Sequence, residues 1–178
     1  MSLISIGSIW VGSRGERETI EMHDLLEEMG RTIVQEQCIE DPGKRSRLFN
    51  DKEVYPVLKS NTKTSNVEAI FLSWYNVAER PLKCVNFKVM SKLRLLIVDG
   101  GYKLNASLDL PNALRYLSWK GYPLESLPSK FSPKNLVELH MPYSKVKKLW
   151  KKDKRLVNLQ VIDLPSTFLT EVPNLSGV

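Results

Sequence analysis

The sequence reads LRLLIV at 93–98, LRYLSW at 114–119, LVELHM at 136–141 and LQVIDL at 159–164, so an L-x-x-L-x-L pattern returns four times. The first apolar residues of these stretches are 21, 22 and 23 residues apart. Within each stretch the last two apolar residues are two apart, which places them on the same side of a β-strand while the residues between them face the other way. The pattern therefore predicts four equivalent strands.

The second half of each unit repeats as well. Apolar residues follow ten and thirteen positions after the first one, at Leu124 and Leu127, Val146 and Leu149, and Leu169 and Val172. Prolines between the strands exclude one continuous amphipathic helix. A period of about 20–29 residues with this pattern is typical of leucine-rich repeats, whose small units must stack to bury their apolar sides. We therefore predict a repeat solenoid, with an ordinary leucine-rich sheet as the alternative.

The predicted array covers residues 67–178. An earlier copy of the pattern is expected to form its first strand, at Val67, Ile70 and Leu72. A short helix is expected at 84–92, where Phe87 and Met90 supply apolar side chains. The first units are degenerate and no polar unit covers the C-terminal end, so about five repeats are expected, in a fragment of a longer protein.

The N-terminal region has a different character. Residues 2–22 are rich in β-branched and apolar side chains around the turn-like residues 12–15, which predicts a β-hairpin. Asp24 is a suitable N-cap for a following helix, with Glu27 three residues later as its capping-box partner. The helix carries an apolar stripe at helical spacing, formed by Leu25, Leu26, Met29, Ile33 and Val34.

A linker at 41–66 joins the two regions. Pro42 and Gly43 break the first helix. Asn50 or Asp51 is expected to cap a short second helix, although Pro56 weakens it. Its apolar residues are Val54, Val57 and Leu58, and a polar loop follows at 61–66.

Three short motifs follow one another in the N-terminal region and the linker. They read MHDLL at 22–26, EMGR at 28–31 and PGKRSRL at 42–48. Together with the linker and the repeats, they resemble the end of the nucleotide-binding region in plant intracellular NLR disease-resistance receptors, most closely the TIR-NBS-LRR class. The resemblance implies a mixed α+β and α/β fold, in which 1–40 form the C-terminal part of a winged-helix subdomain and a short leucine-rich-repeat solenoid follows.

The resemblance also implies a nucleotide switch. In the family, the histidine of this motif contacts the β-phosphate of bound ADP, a role that falls on His23 with Met22 and Asp24 in support. No G-x-x-x-x-G-K-[ST] phosphate loop occurs in the sequence, because Cys38 and Arg45 stand at defining positions around Gly43-Lys44. We therefore expect no cofactor in isolation and ADP or ATP only in the complete receptor.

Enzymatic activity is not expected. The ATPase core and the TIR domain are absent from these residues, and neither His23 nor His140 lies in a recognisable nucleophile or metal motif. No catalytic or metal-binding residue is therefore predicted.

The strand alternation predicts an interaction surface on the side of the sheet opposite the leucines. Its candidate contact residues are Arg115, Tyr116, Ser118, Lys120, Glu138, His140, Tyr143, Gln160 and Asp163, flanked by Arg94, Ile97, Val137 and Val161. The family resemblance implies that a pathogen effector or a guarded host protein binds there, and that the repeats also contact the receptor's own nucleotide-binding domain. A separate repeat protein that acts as an adaptor or decoy is the alternative.

Charge supplies a second alternative. The net charge is +6, and seven of the eleven residues at 145–155 are Lys or Arg, with Trp150 among them. A basic module for nucleic acid or an acidic membrane would have this composition. However, Val146 and Leu149 are core positions of their repeat, so the lysines between them are expected to face water, and nucleic acid is not the expected partner.

Cysteine usage and hydropathy indicate the compartment. Cys38 and Cys84 have no metal-ligand spacing and are interpreted as reduced thiols. No apolar run approaches the length of a membrane span. We expect a cytoplasmic protein, with the nucleus as an alternative location.

Overall fold

The structure is a computed structural model that describes residues 4–10, 16–60, 64, 66–73, 84–100, 107–150 and 154–171, with only the backbone for 4–10, 16–22 and 84. It is a mixed α/β protein dominated by a parallel β-sheet. Some sequence-based predictions lie outside the described residues, namely the turn at 12–15, most of the loop at 61–66, Val172 and the side chain of Cys84.

The chain begins with the predicted hairpin. Strands β1 (Ile4–Trp10) and β2 (Glu16–Met22) pair antiparallel, with Ile4 opposite Met22. Helix α1 (Asp24–Glu36) follows at once.

The start of α1 corrects one prediction. His23, not Asp24, is the N-cap, because its backbone is extended and its Nδ1 accepts a hydrogen bond from the Leu25 amide at 3.2 Å. Asp24 is the first helical residue, where its negative charge still favours the positive end of the helix dipole. The capping interaction therefore comes from the imidazole.

The apolar stripe of α1 is mostly uncovered. Leu25, Met29 and Ile33 are 57%, 52% and 61% exposed, and within the helix only Val34 is buried. Arg31 lies over the ring of Phe49, 5.3 Å from its centroid, and so connects the helix to the linker.

The linker folds into three short elements. A 3₁₀ helix at Pro42–Lys44 leads into strand β3 (Arg47–Leu48) and helix α2 (Asp51–Ser60). The Asn50 side chain accepts a hydrogen bond from the Glu53 amide at 3.1 Å, which identifies Asn50 as the cap. The three apolar residues predicted for this helix are buried, and Pro56 lies within it.

Seven further strands follow. They are β4 (Ala69–Ser73), β5 (Cys84–Asn86), β6 (Leu95–Asp99), β7 (Ser107–Asp109), β8 (Tyr116–Lys120), β9 (Glu138–His140) and β10 (Val161–Asp163). Six strands form one sheet in the order β10-β9-β8-β6-β4-β3, and every neighbouring pair is parallel. The four strands predicted from the repeated pattern are all present in it, and so is the strand predicted at 67–72.

The register aligns equivalent residues of successive units. Leu96, Leu117 and Leu139 are direct partners across β6, β8 and β9, and all three are fully buried. They belong to one continuous core that runs from Leu48 to Leu159. The backbone ladder therefore stacks each unit on the one before it.

A second, two-stranded sheet corrects the helix predicted at 84–92. Strand β5 pairs parallel with β7, and only a single 3₁₀ turn at Phe87–Val89 follows it. The pairing of β5 with β7 prevails over the local helix propensity of this stretch. At the turn, the Asn86 side chain accepts a hydrogen bond from the Lys88 amide. Phe87 and Met90 are buried as expected.

Candidate functional site

The main sheet presents a polar face opposite its leucine core. Along β8 and β9, Tyr116 is the direct partner of Glu138, and Ser118 is the direct partner of His140. Asp163 of β10 continues the second row beside His140. Five of the predicted contact residues are thus brought together on neighbouring strands.

His140 is the centre of this group. Its Nε2 lies 2.9 Å from Oε2 of Glu138, and its Nδ1 lies 3.5 Å from Oδ2 of Asp163. The Tyr116 ring covers it from the neighbouring strand, with ring centroids 5.3 Å apart. The imidazole therefore links β9 to β10 and supports the tyrosine.

The burial of His140 corrects the prediction of a surface contact at this position. The residue is only 6% exposed, because the two carboxylates and the aromatic ring surround it. The accessible parts of the cluster are its half-buried neighbours Tyr116, Ser118, Glu138 and Asp163. His140 therefore contacts Glu138, Asp163 and Tyr116 from beneath the exposed surface.

The remaining predicted residues lie around this cluster. Lys120 is exposed at the end of β8 and forms an ion pair with Asp99 of β6 at 3.4 Å. Tyr143 follows β9 and is 58% exposed, with a left-handed backbone at φ 55°. Arg115 and Gln160 are exposed just before β8 and β10. The predicted surface is therefore continuous from the start to the end of these strands.

We call Tyr116, Ser118, Glu138, Asp163 and Tyr143, with His140 beneath them, the polar face. It combines carboxylates, a hydroxyl and two tyrosines on a sheet that is backed by a packed core. Tyrosine supplies large contact area at low entropic cost and is enriched at protein interfaces. Among the described residues, no group of three or more His, Cys, Asp and Glu side chains is arranged to hold a metal ion. The chemistry of the polar face suits the binding of a protein.

The predicted nucleotide-sensing residues lie together at the junction of β2 and α1. Met22 ends the strand, His23 caps the helix and Asp24 begins it. His23 and Asp24 are exposed. Because Nδ1 of His23 accepts the Leu25 amide, the neutral imidazole carries its proton on Nε2. The ring can therefore donate one hydrogen bond to a group beyond the helix end.

The charges around His23 limit what this site can bind. Asp24 and Glu27 both lie in the first helical turn, so two carboxylates oppose an incoming anion. The backbone amides of Leu26 and Glu27 donate to the His23 carbonyl and are already used. The site fits a phosphate as a single contact through Nε2, which leaves most of the phosphate charge to be balanced by other groups.

Comparisons with known proteins show which proteins the chain resembles. Residues 135–151 match the family model described as Leucine Rich Repeat. The chain is 38% identical over 173 residues to disease resistance protein RPP2B of Arabidopsis thaliana, across 90% of this chain and 14% of the relative. It is 39% identical over 166 residues to TMV resistance protein N of Nicotiana glutinosa, across 92% of this chain and 14% of the relative.

The chain is a homologue of plant disease-resistance proteins. The resemblance drawn from the motifs at 22–48 and from the repeats is thereby confirmed. The chain spans about one seventh of the length of these relatives. No solved structure matches it. Within the described parts of the chain, no helix is both long enough and apolar enough for a membrane span.

The described cations of the basic stretch at 145–155 mostly face solvent, as the sequence predicted. Val146 and Leu149 are buried as predicted, and Trp150, the aromatic side chain that could have stacked on a base, is buried as well. Lys147 pairs with Glu125, and Lys148 pairs with Glu171 at 2.6 Å. Residues 151–153 lie outside the described part of the chain.

Sequence reasoning missed Arg45 and Glu53. Arg45 is 6% exposed, and its guanidinium donates to Glu53 at 2.9 Å and to the carbonyls of Cys38 and Ile39 at 2.7 and 3.0 Å. The Glu53 carboxylate in turn accepts a hydrogen bond from the Phe49 amide at 2.8 Å. This buried pair fastens the end of α1 to α2. The basic motif at 44–47 was the available signal, but it does not tell which of its cations is buried.

A row of asparagines was missed as well. Asn135 donates to the Asn112 carbonyl at 2.9 Å, and Asn158 donates to the Lys134 carbonyl at 2.6 Å. Each bond joins one repeat to the next just before a strand begins. The signal was visible, because Asn-Leu recurs at 135–136 and 158–159.

Proposed function

We propose that this chain is the part of a plant immune receptor that joins a nucleotide-sensing subdomain to a recognition array. Residues 1–40 act as the last part of a winged helix, 41–66 as the linker and 67–178 as a leucine-rich-repeat solenoid. Homology to disease-resistance proteins across about 90% of the chain supports this division, as does the regular register of the parallel strands. The segment works by binding, without catalysis, in the cytoplasm.

The polar face carries this proposal, because it is the part of the array whose chemistry suits recognition. A partner protein, either a pathogen effector or a host protein that the receptor guards, docks on Tyr143 and on the cluster around His140. Tyr143 is the most exposed aromatic residue of the polar face and provides the anchor. The contacts of His140 with Glu138 and Asp163 hold these carboxylates in fixed positions for hydrogen bonding, so little conformational freedom is lost on binding.

His23 contributes the switch in the complete receptor. When ADP is bound there, Nε2 of His23 donates a hydrogen bond to a phosphate oxygen and stabilises the closed state. Because Asp24 and Glu27 repel the same anion, this contact is weak alone and depends on cations supplied by the rest of the receptor. The isolated chain accordingly binds no nucleotide.

A continuous set of contacts connects the two sites. Arg31 of α1 lies over Phe49, and Phe49 stacks on Phe71 of β4 with ring centroids 5.8 Å apart. Phe71 is the direct strand partner of Ile97, which begins the row that leads to Ser118 and His140. A partner that binds the polar face more tightly in one arrangement of these contacts shifts the receptor toward that arrangement.

The test uses a complete receptor that contains this chain, expressed in plant cells with a defence-gene reporter. His23→Ala is expected to raise the resting output several-fold, while the matched change Glu28→Gln, on the exposed surface of the same helix, leaves it unaltered. Tyr143→Ala is expected to leave the resting output unaltered and to reduce the response to extracts of infected tissue. An unchanged resting output in His23→Ala contradicts the switch, and an unchanged response in Tyr143→Ala contradicts recognition by the polar face.

A further inference from the structure

A row of exposed cations lies on the side of the main sheet where its strands begin. The residues are Lys92, Arg94, Arg115, Lys130, Lys134 and Arg155, and all of them are exposed. They occupy the segments that lead into β6, β8, β9 and β10. We call them the basic rim.

The cations of the basic rim lack acidic partners, unlike several lysines elsewhere in the array. Among the described residues, none of the six forms an ion pair, not even Arg94 with Glu68, whose carbonyl accepts a hydrogen bond from the Arg94 amide. Elsewhere in the array, Lys120, Lys147 and Lys148 each have a carboxylate partner, whereas the exposed Lys145 has none among the described residues. Six exposed cations without an ion pair are therefore gathered where these strands begin.

The sheet fixes the spacing of the basic rim. The Arg115 amide donates to the Arg94 carbonyl at 2.8 Å, so these two arginines occupy equivalent positions on neighbouring strands. Neighbouring strands are about 4.8 Å apart, so the rim from β6 to β10 extends about 14 Å. An extended peptide rises about 3.3 Å per residue, so four to five residues would cover this length.

We propose that the basic rim binds an acidic segment of a partner protein. The chain's own acidic helix α1 is not the occupant, because Arg45 fastens its C-terminal end beside α2, near β3 and β4. A single-stranded nucleic acid needs aromatic side chains on which its bases stack. Among the described residues, the exposed aromatic side chains are Tyr143 and Phe168, and both follow the ends of strands on the other side.

The experiment measures binding of a labelled hexaglutamate peptide to the full chain by fluorescence anisotropy at low salt. Lys92→Gln with Arg94→Gln is expected to weaken binding at least fivefold. The matched control is Lys147→Gln with Lys148→Gln, which removes the same net charge from lysines that already have partners, and it is expected to change binding less than twofold. Raising the salt concentration should weaken binding by the unaltered chain.

Several results would overturn the proposal. Equal weakening in the two double variants would mean that only the net charge matters, and equal binding of hexaglutamine would mean that the acidic groups do not. Tighter binding of a six-nucleotide DNA strand, or of vesicles with anionic lipid, would assign the rim to those partners. Salt-sensitive dimers in sedimentation that the Lys92 and Arg94 changes abolish would make a second copy the occupant. Neither residue belongs to the polar face, so each of these results leaves the proposed recognition function intact.

Discussion

Replacement of Arg45 by methionine should destabilise the chain more than any surface change. The guanidinium lies in a buried site, where it satisfies the Glu53 carboxylate and the carbonyls of Cys38 and Ile39. Methionine has a similar length, so the main loss is of charge and hydrogen bonds rather than of volume. Glu53 would keep only the Phe49 amide as a partner.

The magnitude follows from the uncompensated carboxylate. Removal of one member of a buried ion pair costs about 3–5 kcal/mol, since the remaining charge stays away from water. A domain of ordinary stability has about 5–15 kcal/mol in total, so the loss is a large fraction. With a urea dependence of about 2 kcal/mol per molar, the unfolding midpoint should fall by about 2 M.

Urea unfolding followed by circular dichroism measures this change. The exposed pair of Lys44 with Asp41 is the control, and Lys44→Met should cost less than about 1 kcal/mol. Arg45→Met combined with Glu53→Leu removes both charges and should recover most of the loss. If Arg45→Met shifts the midpoint no more than Lys44→Met does, or if the double variant is less stable than the single one, the reasoning from buried charge is wrong.

Three smaller effects are expected from single side chains. Tyr143→Gly should raise the stability to thermal unfolding by about 1 kcal/mol, because a left-handed backbone is strained with any side chain, and a lower melting temperature would contradict this. Asn135→Ala should lower stability by about 1 kcal/mol through loss of its bond to the Asn112 carbonyl, and an unchanged free energy of unfolding would contradict this. Burial raises the pKa of the Tyr122 hydroxyl above its usual value of about 10, so the folded chain keeps a proton that the unfolded chain releases, and stability falls as the pH rises above about 10. Tyr122→Phe should lose that part of the alkaline destabilisation and, below pH 10, only the bond to the Ser126 carbonyl.

The parallel strands could be predicted because their pattern depends on neighbours in the chain. Residues two apart in a strand share a face. Leu96, Leu117 and Leu139 are each followed by another apolar residue two positions later, so all three were expected on the apolar side of the sheet. The pairing of β5 with β7 could not be predicted in this way. It joins residues more than twenty positions apart, and neither stretch carries the repeated pattern that identifies the other strands.

The predicted contact residues of β8, β9 and β10 lie on neighbouring strands, but the sequence did not indicate that one of them is buried. Strand alternation placed His140 on the polar face, and its burial arises from Glu138, Asp163 and Tyr116, whose arrangement depends on the register of three strands. The cap of α1 is a similar case. Asp24 and His23 are adjacent, and one backbone angle decides which of them ends the extended segment.

The turn after each strand contains a residue with a positive φ angle, and in the third unit this residue is Tyr143. The residues seven positions after the first apolar residue are Gly100, Gly121, Tyr143 and Ser166, and all four have positive φ angles, of 96°, 71°, 55° and 56°. The amides of the first three donate to carbonyls of the next repeat at 2.9 to 3.0 Å, so this backbone geometry joins successive units. Glycine meets that need with the least strain, as the first two units demonstrate. Tyr143 and Ser166 are therefore under backbone strain that glycine would relieve, and the Tyr143 side chain is exposed to solvent.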